Sequence, residues 1–143
     1  MYSKILVALE NSRADQSLIP HVQELAAHFH SQLVLIHVAD GWVARNFAST
    51  LQPAESEEMK ADRAYLAGEA AKLTAAGLSV TTQLALGNPP TEILKVAEAE
   101  KCDLIAMTTH GHRLVGDLFY GSTIETVRHR SQIPLLIVRA AQL

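Results

Sequence analysis

Five strand-like runs, separated by segments of helical period, constrain this chain more than any other feature. They are Ile5-Leu6-Val7-Ala8-Leu9, Leu33-Val34-Leu35-Ile36-His37-Val38, the stretch from Val80 to Leu86, Leu104-Ile105-Ala106-Met107 and Leu135-Leu136-Ile137-Val138. Most are continuously apolar, as expected of strands covered on both faces rather than on one. Between the first two, Leu18, Val22, Leu25 and Phe29 recur at spacings of 4, 3 and 4 and make one helical stripe, with Ser12 or Asp15 expected to cap it. A charged helix carrying Met59, Leu66, Ala70 and Leu73 precedes the third run and is stopped by Gly77. A helix from Thr91 to Lys101 turns Ile93, Leu94, Val96 and Ala97 inward, and a short one from Ser122 to Arg130 precedes the last run. Strand and helix alternating in this way predict a doubly wound sheet of five mainly parallel strands, order 3-2-1-4-5, with helices on both faces.

At 143 residues the chain is long enough for one such domain, taken as residues 1–143. Its 12 Lys+Arg against 15 Asp+Glu give a net charge of -3, and no basic face is clustered as a nucleic-acid footprint requires. Arg128-His129-Arg130 reads instead as cations closing a helix carboxyl end. The first apolar run meets Glu10 too soon for a signal peptide, and no run is long enough to cross a membrane. The single cysteine, Cys102, excludes an internal disulfide and fits a reducing, cytoplasmic setting.

In open α/β sheets ligands bind beyond the carboxyl ends of the strands, where the strand order reverses. That places chemistry at Glu10-Asn11-Ser12 and in the segment after Met107. The latter runs Thr108-Thr109-His110-Gly111-His112-Arg113-Leu114-Val115-Gly116-Asp117-Leu118-Phe119-Tyr120-Gly121-Ser122-Thr123. Read as a loop opening a helix, it offers glycine, hydroxyls and unpaired N–H groups to an anion. The same residues read equally well as a turn glycine followed by an ordinary Ser122 cap. The Gly116 to Gly121-Ser122-Thr123 spacing imitates a Walker A loop, but Ser122 stands where that loop has its lysine. Arg113 is a candidate phosphate partner or a surface residue. His21, His28, His30, His37, His110, His112 and His129 form no ligand pair at metal spacing, so no metal site is expected. His37 is expected to be a hydrogen-bonded core residue, and His110 and His112 to be solvated side chains. Trp42, Phe47 and Leu51 lie in a long segment without period, of the kind that forms lids or contact surfaces.

The order and spacing of these motifs resemble the universal stress protein family. The family pattern is Gly, two residues, Gly, nine residues, Gly, then Ser or Thr, and this chain has Thr108 at the first position, then Gly111 and Gly121-Ser122. Lys4 to Ser12 resembles the family's first strand and turn, Leu35-Ile36-His37-Val38 its second strand, and Gly87-Asn88-Pro89 its turn after strand three. Cys102 to Met107 and Ile133 to Arg139 are similar to its last two strands. The resemblance implies ATP or another adenine nucleotide, accompanied by Mg2+ where phosphates require it. Ala8, Leu9 and Glu10 would line the adenine and ribose side, and Val38 would make a backbone contact to adenine. Met107, Thr108 and Gly111 would flank ribose and phosphates, and Gly121, Ser122 and Thr123 would hold the phosphates. Two residues depart from the pattern: Glu10 replaces an aspartate and extends one methylene further, and β-branched Thr108 replaces a glycine, resisting positive φ and filling space. The resemblance also implies a homodimer through the last strand. It leaves three function classes: a nucleotide-binding stress-response or regulatory protein, a dimeric interaction module with an empty loop, and a slow nucleotide hydrolase. The residues show no nucleophile–base pair and no phosphate lysine, so no catalytic residue is assigned and any ATPase activity is expected to be weak.

Overall fold

The computed structural model describes residues 1–39, 57–110 and 114–141, with side chains in the last stretch from residue 122 onward. The elements run β1 (Lys4–Ala8), α1 (Asp15–Phe29), β2 (Gln32–Ala39), α2 (Glu57–Ala75), β3 (Ser79–Leu86), α3 (Pro89–Ala99), β4 (Leu104–Thr109), α4 (Leu114–Arg130) and β5 (Leu135–Arg139). The strands form one sheet in the order β3-β2-β1-β4-β5, and each pairing is parallel. This is the expected doubly wound architecture.

Strand alternation divides the core into two layers. Ile5, Val7 and Leu9 of the first strand share a layer with Leu104 and Ala106, against Leu18 and Val22 of α1 and Leu66 and Leu73 of α2. Leu6, Val34, Ile36, Ile105 and Met107 share the other, against Ile93 and Ala97 of α3 and Val127 of α4. Ile5, Leu6 and Val7 are wholly buried, each worth roughly 1.5–3 kcal/mol against exposure, so the central strand anchors the strand ends that follow. β3, at the sheet edge, is mostly exposed, consistent with its Thr81-Thr82-Gln83 centre.

Three element boundaries differ from expectation where they bear on the site. β4 continues through Thr109, so Thr108 is a strand residue and its β-branched side chain suits the backbone. α3 begins at Pro89 rather than Thr91, because Asn88 caps it by accepting from Thr91 N–H at 3.2 Å and prolines are tolerated in a first turn. α4 begins at Leu114, not Ser122. Gly116 and Gly121 were expected to keep the segment open, but each costs a helix interior only about 1 kcal/mol, and no proline interrupts it. Trp42, Phe47, Leu51, Gly111, His112 and Arg113 lie outside the described residues.

Candidate functional site

The carboxyl ends of β1, β2 and β4 and the facing parts of α3 and α4 enclose a cleft of about 440 Å³. Its walls are Ala8, Ile36, Val38, Pro89, Ile93 and Met107, with Leu9, Glu10, His37, Thr108 and Thr123 completing the lining. Ala8, Leu9, Glu10, Val38, Met107, Thr108 and Thr123 are thus brought together as the sequence led one to expect. Gly121 and Ser122 are not among the lining residues; both lie inside α4, where backbone N–H groups belong to the helix ladder rather than to a first turn.

Position on the sheet gives each residue its role. Gln32 N–H donates to the Ser3 carbonyl at 2.9 Å, and Leu9 N–H to the Ile36 carbonyl at 2.8 Å. Even-numbered residues of β2 therefore bond toward β1, and the Val38 amide points to the side where the chain leaves β1 after Leu9. Thr108 shares its strand face with Leu104 and Ala106, so its side chain is directed to the α1 layer and it borders the cleft through the rest of the residue. The crowding expected from this threonine is thereby avoided. Its Oγ1 is buried without a hydrogen-bond partner.

The turn after β1 is held from beneath. Asp15 is fully buried at the start of α1, and its carboxylate accepts from the N–H groups of Glu10 and Asn11 at 2.9 Å and of Ser12 at 3.4 Å. Tyr65 of α2 donates its hydroxyl to the same carboxylate at 2.7 Å. Asn11, held at φ +59°, donates Nδ2–H to Asp62 at 2.8 Å. His37 donates Nδ1–H to the Leu9 carbonyl at 2.9 Å, and its Nε2 lies 3.5 Å from Asp62. It is the hydrogen-bonded histidine expected, and it also borders the cleft. Asp15 was expected as a helix cap; instead the cap position is Ala14, and Asp15 serves the preceding turn.

Glu10 is the acid of the cleft. Burial pushes its pKa up, while hydrogen bonding and charge from His110, and a hydrogen bond from Ser12, pull it down; nearby Asp15 pushes it up. The His110 Nε2 lies 2.7 Å from Glu10 Oε2. This histidine was read from sequence as solvated, and the structure corrects that: it follows β4 immediately, next to the end of β1, which was the available signal. Pro89 and Ile93 were also absent from the expected site, although the helical stripe already turned Ile93 inward. Cys102 is buried with its thiol pushed up to about 11, chiefly by burial, which disfavours a reactive thiolate. Among the described residues no three His, Cys, Asp or Glu side chains gather as a metal site.

The model of the universal stress protein family matches residues 1–139. The chain belongs to that family. It is 28% identical to universal stress protein MJ0577 of Methanocaldococcus jannaschii over 97% of this chain and 96% of the relative. The solved structure of MJ0577 superposes with a TM-score of 0.83 at 25% identity, covering 100% of this chain and 99% of that one. Two more distant structures share the fold: a universal stress protein in complex with cAMP, at TM-score 0.72, 18% identity and 98% coverage of each chain, and one from Archaeoglobus fulgidus in complex with dAMP, at TM-score 0.70, 16% identity and coverage of 96% and 98%.

Proposed function

We propose that this protein is a stress-response or regulatory protein that binds an adenine nucleotide in the cleft over β1, β2 and β4. The observation that carries the reading is the lining itself. Apolar walls of Ala8, Val38, Pro89, Ile93 and Met107 suit a flat base, and they end at the Val38 amide and the Glu10 carboxylate, which suit its polar edge and the ribose. The cAMP and dAMP complexes of proteins with this fold support an adenine ligand. Thr123 then faces the phosphate side, with Gly111, Gly121 and Ser122 as the further phosphate contacts of the family pattern. ATP would bring its own Mg2+, held by phosphate oxygens. The described lining residues include no lysine, arginine or cysteine, so turnover is slow or absent. We place the protein in the cytoplasm.

Ala8→Leu tests the reading by filling the cleft from its floor. Calorimetric titration with AMP and ATP should show binding to the parent and none to the folded variant; equal affinities would overturn the site. Adenine absorbance and mass after denaturing the purified protein provide an independent check. A second reading, an interaction module without nucleotide, is favoured by the position of Gly121 inside α4, and a parent that binds neither ligand would establish it.

Under either reading the protein is proposed to be a homodimer through β5. Ala140 N–H donates to the Thr109 carbonyl at 2.8 Å, so even-numbered residues bond to β4 and the Ile137 N–H faces the open edge. Ile137 is 38% exposed there, whereas the other edge strand, β3, is centred on polar residues. Pairing of two β5 edges about a two-fold axis would satisfy those backbone groups. Ile137→Pro removes one edge donor while sparing the β4 ladder, and light scattering should report a dimeric parent and a monomeric variant. A variant as dimeric as the parent would exclude this edge.

A further inference from the structure

Glu10 and His110 follow the two central strands β1 and β4, which are neighbours at the point where strand order reverses. They close on each other beside the cleft, one hundred positions apart in sequence. Both carboxylate oxygens of Glu10 are within hydrogen-bonding reach of His110 Nε2, at 3.0 and 2.7 Å. The Glu10 side chain is 6% exposed and the imidazole 26%. Ser12 Oγ donates to the same carboxylate at 3.2 Å, and Asp15 at the start of α1 adds a like charge. His37 of β2 borders the cleft, but its two nitrogens are directed to Leu9 and Asp62. The lining residues from α3 and α4, Pro89, Ile93 and Thr123, carry no charge.

A carboxylate has about four acceptor positions, and His110 and Ser12 leave capacity for a ligand donor. Left alone at this depth, the acid would favour its protonated form, which competes for acceptors instead of offering them. We propose that His110 is a positioning residue of the cleft, whose Nε2–H holds the Glu10 carboxylate as an anionic acceptor for hydroxyl or amino hydrogens of a bound nucleoside. The inference rests on the adenine-nucleotide reading and deepens it: Glu10 recognises the uncharged nucleoside, and the phosphates point away from it. Burial raises the Glu10 pKa and His110 lowers it, so removing the histidine raises it further and moves loss of the acceptor to higher pH.

Adenosine is the probe, because it carries no titrating phosphate. Its affinity is measured calorimetrically between about pH 5 and 8 for the parent, His110→Ala, His110→Gln and Glu10→Gln, each checked for folding by circular dichroism. Parent affinity should fall on acidification. In His110→Ala the fall should begin at higher pH, leaving binding roughly tenfold weaker near neutrality and recovering as pH rises, the effect of one pKa unit. His110→Gln, which keeps an N–H donor, should shift less, and it alone decides if the alanine variant does not fold. Glu10→Gln should show no pH dependence. A loss in the His110 variants that is independent of pH, no loss at all, or binding of AMP without adenosine would overturn this inference while leaving nucleotide binding intact. A parent that binds neither adenosine nor AMP would overturn both.

Discussion

On the α1 and α2 side of the sheet, the space at the ends of β1 and β2 is filled by polar side chains; on the α3 and α4 side, the same strand ends open into a cleft. The filled side has Asp15 gathering three N–H groups and the Tyr65 hydroxyl, and Asp62 joining Asn11 to His37. The open side has only aliphatic residues and two prolines where α3 approaches β2. A helix whose first turns carry groups able to bond the turn after β1 closes its face. A helix whose first turn offers Pro89 and Pro90 closes nothing, and Gly87 at φ +137° brings that turn in beside the strand end. One face has become a fixed support and the other a site.

The comparison can be broken most sharply at Asp15. Asp15→Ala leaves three backbone donors and a buried tyrosine hydroxyl without their acceptor, and should cost about 3 kcal/mol, on the order of 10 °C in melting temperature. A loss no larger than that of an exposed substitution would mean that the support is not fixed. The corresponding device on the open face is the Asn88 cap, and Asn88→Ala should cost only about 1 kcal/mol in denaturant unfolding. Gly68 lies in α2 with nothing within 4 Å of an added Cβ. Gly68→Ala should therefore gain up to about 1 kcal/mol by thermal unfolding without changing ligand affinity. A change in affinity would show that α2 transmits to the cleft.

The smallest expected effect concerns Glu10, because burial and His110 oppose each other there. Its folded pKa is raised above 4.5, so the unfolded chain loses this proton first as pH rises, and the stability it contributes in acid is lost as pH passes through the folded value. Glu10→Gln should therefore melt higher relative to the parent at neutral pH than near pH 4.5. The opposite trend would mean that the ion pair with His110 outweighs burial.

Most strands and their order were legible because continuous apolar runs at helical separations leave few alternatives. Glu10, Val38 and Met107 were legible as site residues for the same reason: each sits at or just beyond the carboxyl end of a central strand. The start of α4 was not, because glycine reads as a boundary while its helical penalty is small enough for the rest of a helix to absorb. Thr108 was misread for a related reason: its discomfort depended on a backbone conformation that β4, by continuing to Thr109, does not adopt.

Local pattern by itself determined the alternation of strand and helix, the doubly wound sheet and the end of it where a ligand belongs. Tertiary structure alone decided which face of that end is filled and which is open, and which histidine meets Glu10. Asn11 and Asp62 are 51 positions apart and Glu10 and His110 are 100 apart. Periodicity reports only the face an element buries against the core. Which polar tips then meet depends on helix placement to within about an ångström, and only the packed layers supply that.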